Sequence, residues 1–366
     1  MATLTVIVPA TDRPPTLLRA TAAIARAAAP PEQLIVVDDP PGLSAASARN
    51  AGARRARGDL LVFVDADVEV HPDAFARIRA AFDADPELTA VFGSYDDAPG
   101  ADGTVSAFRN LLHHHVHHSG AGPAETFWAG LGAVRRDAFV AAGGFDAARF
   151  PHPSIEDIEL GARLAAGGAR LRLDPTIQGK HLKAWTVGRM LWTDFARRGV
   201  PWVGLQVRTG RVSAALNCGW RHRLSAAACV AGGASALLRR PVGIAACAAA
   251  LVALNHAFYA LLARRRGGRE AVVGVGLHAL HHLTAVAALP AGLVAHAHEW
   301  GRGTGRDEVQ RSAGALAPPA LDALPCAGHV RAPVAVLAAV RPADTPAAPV
   351  PDDDAILLAT PRARTA

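Results

Sequence analysis

Apolar positions in the N-terminal part of the chain fall into short runs separated by polar turns. Leu4 to Val8 is stopped by Pro9, Leu34 to Val37 ends in Asp38-Asp39, and Leu60 to Val64 ends in Asp65-Ala66-Asp67. Runs of this length with β-branched and aromatic members read as buried strands. Thr16 to Ala29 and Ser47 to Ala56 lie between them and have helix-forming composition. This alternation predicts an α/β domain with a parallel sheet. Ser154 to Gly167 predicts a helix with an apolar stripe at Ile158, Ala162 and Leu164-Ala165, opened by a capping box of Ser154 with Asp157. Arg170 to Leu173 predicts one more strand.

From Leu224 the pattern changes. The runs 224–238, 242–263 and 271–297 are nearly free of charge, and a membrane span needs about 20 apolar residues. Three spans return the Arg264-Arg265-Arg266 loop to the cytoplasm, as the positive-inside rule asks; two would leave it outside. Three are therefore expected, with Ala-rich soluble helices as the alternative. The chain then divides into a catalytic domain over 1–205, an interfacial connector over 206–223, transmembrane helices within 224–299, and a Pro/Ala-rich tail over 300–366 expected to be disordered.

Charge and cysteine content narrow the class. The 366 residues carry a net charge of +6 and a pI near 9.7. The basic residues cluster beside apolar runs near 221–223, 239–240 and 264–269, which suits a membrane surface and not nucleic acid. Cys218, Cys229, Cys247 and Cys326 show neither zinc spacing nor a disulfide framework. Leu4 to Val8 lacks a charged region before it, so no signal peptide is expected and the N-terminal domain should be cytoplasmic.

Chemistry concentrates at the strand ends. Asp65 and Asp67 lie two apart at the carboxyl end of a buried strand, where extended geometry points both to one face. Buried carboxylates need a cation or ligand to satisfy them, and hard oxygen pairs suit Mg2+ or Mn2+. A solvated turn is the alternative. Asp38-Asp39 are a second acid pair or turn formers. Glu156-Asp157 begin a helix, where anions are favoured whether or not they react. His113, His114, His115, His117 and His118 read as a metal site or as packing, and His181 is a lone histidine. Trp128, Gly130 and Gly132 mark a turn where backbone can approach a ligand.

Taken in order, VIVPATDRP, VVDD, SARNAGARRARGD, VDAD, GGFD, EDIELGARLAAGG, RLRLDP and GKHLKAWT resemble the family 2 glycosyltransferases with a GT-A fold, over roughly 4–205. NLLHHHVHH, FWAGLGAVRRDAF and RRGVPW look like a bacterial membrane-bound subgroup. The resemblance implies a Rossmann-like nucleotide-sugar-binding domain. In it Pro9, Asp38 and Asp39 line the base, with Asp38 foremost, and Arg49 reaches the nucleotide or its phosphates. Asp65 and Asp67 hold Mg2+ or Mn2+ at the diphosphate, with His181 as third ligand or as a diphosphate contact. Asp157 is the base, with Glu156 beside it, and Trp128, Gly130, Arg198 and Trp202 are acceptor-side or gate residues. Only Pro40 to Ser47 stand where the family has a further helix and strand, so the nucleotide pocket should be abbreviated.

The implied reaction is inverting transfer of a sugar from a nucleoside diphosphate to a lipid-linked or cell-envelope acceptor hydroxyl, by a multi-pass protein of the cytoplasmic membrane. A nucleotidyltransferase would also use paired carboxylates, but VIVPATDRPP lacks a glycine-rich phosphate loop. A non-catalytic membrane scaffold would not need Asp65, Asp67 and Asp157.

Overall fold

The computed structural model describes residues 1–210 and 216–301. Strands β1 (Leu4–Pro9), β2 (Gln33–Val37) and β3 (Leu60–Val64) run parallel with β1 in the middle. Their alternating side chains serve two layers. Leu60, Val62 and Val64 pack on one face of the sheet, and Leu61 and Phe63 on the other. Burial on both faces explains why these runs read as continuously apolar.

The sheet continues through β4 (Val68–Val70), β5 (Leu88–Tyr95), β6 (Gly122–Ala124), β7 (Leu131–Arg135) and β8 (Arg170–His181) in the order β2-β1-β3-β7-β5-β8-β4, with β6 on β8. The expected all-parallel sheet is corrected here. Strand β7 is antiparallel to both β3 and β5, and β4 is antiparallel to β8. A short apolar run has the same pattern in either direction, so direction was not readable. The reversal matters for the site, because Val64 pairs with Leu131 and Asp65 N donates to Gly130 O at 3.1 Å. Strand β2 is the sheet's edge, in line with the short connection after Asp39.

Helices α1 (Leu17–Ala25), α2 (Ala45–Arg55), α3 (Ala74–Ala84), α4 (Thr104–Ser119), α5 (Arg136–Ala141) and α6 (Glu156–Ala166) complete the sheet domain. Helix α7 (Val187–Trp192) then runs into a π-helical turn (Thr193–Gly199) and α8 (Val200–Thr209). The remaining helices are α9 (Trp220–Leu237), α10 (Pro241–Leu254), α11 (His256–Arg266) and α12 (Gly268–Gly301).

These last helices revise the three expected spans. Among the described residues only Gly268–His298, within α12, is long and apolar enough by itself to cross a membrane. The run 242–263 is broken at Asn255, where α10 and α11 bend by 79°. Phe258, Tyr259, Leu261 and Leu262 of α11 join a core with Phe108, Leu111 and Leu112 of α4. Hydropathy scores burial against protein and burial in lipid alike, which is why the run looked like a span. The tail from 302 onward lies outside the described residues, as does part of the 206–223 connector.

Helix α12 is seated on the sheet domain. A Cβ at Gly199 would stand 2.5 Å from Ala288 Cβ, and one at Gly292 would stand 2.6 Å from Val203 Cβ, so both contacts require glycine. Between these helices Asp194 accepts from Arg109 at 2.8 and 3.0 Å and pairs with His281 Nδ1 at 2.7 Å. Burial pushes the Asp194 carboxyl up, but Arg109 and the His281 hydrogen bond outweigh it and hold it below the usual carboxylate range.

Phe63 is fully buried and meets Phe127, Phe139 and Phe145 edge-on or tilted. Phe63→Ala should cost about 3–5 kcal/mol. Leu18→Ala, at a position 82% exposed, should leave the urea midpoint nearly unchanged; equal midpoint shifts for the two variants would contradict this packing.

Candidate active site

The carboxyl ends of β1, β2 and β3 make one rim. Ile7 is level with Phe63 and Pro9 with Val37, so Pro9, Asp38-Asp39 and Asp65 leave the sheet from the same edge. Pro9 is half-buried there, and Asp38 and Asp39 are exposed. Ligands of open α/β sheets bind outside this edge.

Arg49 ties the rim to α6. Helix α2 is capped by Ser44, whose side chain accepts from Ser47 N at 3.1 Å, and its small residues Ala46, Ala48 and Ala53 let it lie close on the sheet. Arg49 is thereby buried, donating through one terminal nitrogen to Asp65 Oδ1 at 2.7 Å and through the other to Glu156 Oε1 at 2.9 Å. Glu156 Oε2 accepts from Ser154 N at 2.7 Å. Arg49, expected to reach the nucleotide or its phosphates, here bridges two carboxylates. Glu156 is buried as well, 4% exposed. Asn50, given no role from sequence, exchanges two hydrogen bonds with the Phe145 backbone at 2.8 and 2.9 Å. Its place beside Arg49 in SARNAG was the available signal.

Asp157 is the less restrained acid of the pair. Its Oδ2 accepts from Ala129 N at 3.1 Å and its Oδ1 from Ile158 N at 2.8 Å. Burial first, and Glu156 next, raise its pKa to about 6 against the pull of Arg49. That value suits a general base near neutral pH. Gly161 permits the placement: a Cβ there would meet Phe127 N at 2.2 Å, so only glycine lets α6 lie against the 126–129 backbone. The expected Ser154–Asp157 capping box does not form. Ile155 is the N-cap, and Ser154 Oγ donates to Arg197 O at 2.6 Å instead.

The metal residues are only partly brought together. Asp67 Oδ2 stands 3.9 Å from both His181 Nε2 and Lys183 Nζ, while Asp65 Oδ1 faces Arg49. Among the described residues no three His, Cys, Asp or Glu side chains form a ready metal cluster. The donors nevertheless fit a hard divalent ion. Burial raises both Asp65 and Asp67, offset at Asp65 by Arg49 and at Asp67 by Lys183, so a cation would relieve the cost of their charge. His181 is pushed down to about 3 by burial and then by Lys183, so its ring is neutral. With the proton on Nδ1, its Nε2 lone pair would be available to a metal.

His181 stacks on Tyr95 with ring centroids 4.2 Å apart, and Tyr95 meets His113 and Trp128. The five-histidine run is thus largely packing. His113 and His117 stand 3.8 Å apart behind β5, His117 Nδ1 bonds Gly93 O, and His114 Nδ1 bonds Tyr95 O. Trp128 covers Gly130 at the base of this stack. Trp202 of α8 packs against the cluster of Phe150, Ile155 and Leu205, as Ile158 of α6 does, beside the start of α6. Arg198 is exposed on the π-helical turn, near enough to His181 and Asp194 to act on their charge.

Residues 40–141 match the glycosyl transferase family 2 profile. Among solved structures the chain is similar to a mannosyltransferase from Pyrobaculum calidifontis in complex with GDP-Man and Mn2+, at 18% identity over 78% of this chain and 87% of that one, with a TM-score of 0.45. It is also similar to GalNAc-T7 with UDP, GalNAc and Mn2+, at 15% identity over 62% of this chain and 51% of that one, with a TM-score of 0.41. No curated protein matches the sequence.

Arg49→Ala should destabilise the fold by roughly 3–5 kcal/mol, since it strands two carboxylates; thermal melts that superimpose on wild type would refute the clamp. Asp157→Asn should do the opposite. A folded pKa raised above the unfolded value means that ionised Asp157 costs stability at higher pH. The Asn variant should therefore melt higher than wild type above about pH 6, and lose that advantage as pH falls toward the unfolded carboxylate range.

Proposed function

From the premise that this chain carries a family 2 glycosyltransferase domain, we propose that it moves a sugar from a nucleoside-diphosphate sugar to an acceptor hydroxyl with inversion. The observation that carries this is the Arg49 bridge, which sets the Asp65-Ala66-Asp67 rim and the Asp157 helix start within one guanidinium's span. The nucleoside lies along Pro9 and Asp38-Asp39, and Arg49 orders the cleft without touching the donor. Asp67 and His181, with Asp65 beside them, would hold Mg2+ or Mn2+, which supplies charge neutralisation for the departing diphosphate. Asp157 takes the proton of the acceptor hydroxyl. The freed oxygen bonds to the anomeric carbon from the face opposite the leaving group, the anomeric C–O bond breaks, and nucleoside diphosphate departs. Trp128 and Gly130 border the sugar, and Arg198 and Trp202 border the acceptor's approach.

The acceptor side is assigned to a membrane and the acceptor to a lipid-linked hydroxyl compound. Helix α12 has the length and apolarity to cross a bilayer. Exposed Val230, Leu237, Leu238 and Val242 on the α9–α10 pair lie among arginines at 221, 223, 239 and 240, a pattern that suits a lipid surface. The catalytic domain would face the cytoplasm.

Incubation of the full chain with a panel of nucleotide sugars and Mn2+ should release free nucleoside diphosphate. Release of pyrophosphate would favour a nucleotidyltransferase. Asp67→Ala should abolish metal-dependent nucleoside diphosphate binding in a folded protein, and activity that survives excess chelator would exclude this role. Asp157→Asn should slow transfer by about 10²–10⁴-fold with donor affinity little changed.

A further inference from the structure

Beside the start of α6 lies a cavity of about 190 Å³ that the reaction above does not use. It is walled by the loop before α6, the π-helical turn, α8 and the distal part of α12. Five basic side chains line it, Arg149, His152, Arg197, Arg208 and His296; Arg149 also pairs with Asp146 at 3.9 Å, and no carboxylate lines the space itself among the described residues. Its volume falls below the roughly 300–1,000 Å³ of pockets for drug-sized ligands, which suits a small charged group. Arg and His around such a space favour a phosphate, which guanidinium forks bind bidentately.

The construction of this cavity is specific. The π-helical turn places neighbouring arginines in different surroundings. Arg198 influences His181 of the cleft and the Asp194 contact between α4 and α12, whereas Arg197 lines the cavity. Arg197 is half-buried and makes no ion pair with a described residue. Its carbonyl is held by Ser154 Oγ at 2.6 Å, and Ser154 N holds Glu156, next to Asp157. Cavity and base helix are therefore joined through one residue. Gly292 and Ala295 supply the opposite wall, so the cavity borders the apolar helix α12.

We propose that this cavity binds a phosphate or diphosphate group of the acceptor, holding it at the α12 side while the acceptor's hydroxyl faces Asp157. The proposal rests on the glycosyl-transfer reading and names the acceptor class: a hydroxyl compound that also carries phosphate. The phosphate belongs either to a lipid headgroup or to a soluble phosphomonoester.

The full chain in detergent, with chelator present to silence metal-dependent binding at the rim, is titrated with phenyl phosphate by calorimetry. Saturable binding is expected. Arg197→Gln should weaken it by roughly tenfold or more, Arg197→Lys should weaken it less, and Arg269→Gln, exposed and outside the cavity, should leave it unchanged. Co-sedimentation with phosphatidylcholine vesicles doped with farnesyl phosphate, against undoped vesicles, separates the sources. An Arg197-dependent gain identifies a lipid headgroup, and no gain with phenyl phosphate still bound identifies a soluble phosphate. Absence of phenyl phosphate binding by wild type, or equal binding by Arg197→Gln and by Arg149→Gln, overturns the proposal. Donor hydrolysis with Mn2+ is read on chelator-free aliquots of the same preparations. If it persists while phosphate binding fails, only the acceptor inference falls; if wild type neither binds nor hydrolyses any donor, the transferase reading falls as well.

Discussion

The buried guanidinium of Arg49 is the contact on which the cleft depends. It joins residues 16 and 107 positions away in the chain, on a strand end and a helix start that no backbone hydrogen bond connects directly. Taking an arginine and two carboxylates out of water is costly, and such a group seldom adds much net stability over apolar packing. Its consequence is geometric and electrostatic. Glu156 is paired to the guanidinium and fixed, and Asp157 is left beside it with backbone donors only and a pKa lifted toward neutrality by burial. The single cation therefore leaves two adjacent acids in different surroundings, Glu156 paired to a guanidinium and Asp157 held only by backbone N–H groups.

A second buried ionic contact does comparable work at the other end. Asp194, on the π-helical turn, meets Arg109 of α4 and His281 of α12, and Arg109 also lies over the Trp185 ring. The longest apolar helix is thus tied to the sheet domain by a charged pair and by glycine contacts at Gly199 and Gly292. A π turn within a helix is often found at functional sites. Here it turns Arg197 and Arg198 toward different spaces while its own Asp194 anchors α12. Anchor, cleft and basic cavity meet on seven residues of chain, Thr193–Gly199.

The candidate acids were legible because charge placed at a buried strand end leaves a short, ordered signature. Asp65 and Asp67 after an apolar run, and Asp157 at the head of an amphipathic helix, could be read directly, and the order of motifs around them pointed to the family. The partners of those acids could not be read. Nothing local to SARNAG says that Arg49 bridges Asp65 and Glu156, since that depends on how closely α2 and α6 approach the same strand end. Ser154 illustrates the same limit. Its spacing to Asp157 fits a capping box, yet its hydroxyl is taken by Arg197 O from a segment 43 residues away.

By itself the sequence determined four of the eight strands and the helices around 47–56 and 154–167, that two of those strands end in acid pairs, and that the stretch from Leu224 is unusually apolar. Those properties follow from side-chain size, polarity and periodicity, which act locally. Tertiary structure decided the antiparallel insertion of β7, the burial of the His113–His118 run around Tyr95 and Trp128, and the break at Asn255 that turns one expected span into two bent helices. It also decided that α11 buries its apolar face against α4. An apolar residue gains by leaving water whether it enters lipid or a protein core, so only the fold can say which of the two receives it.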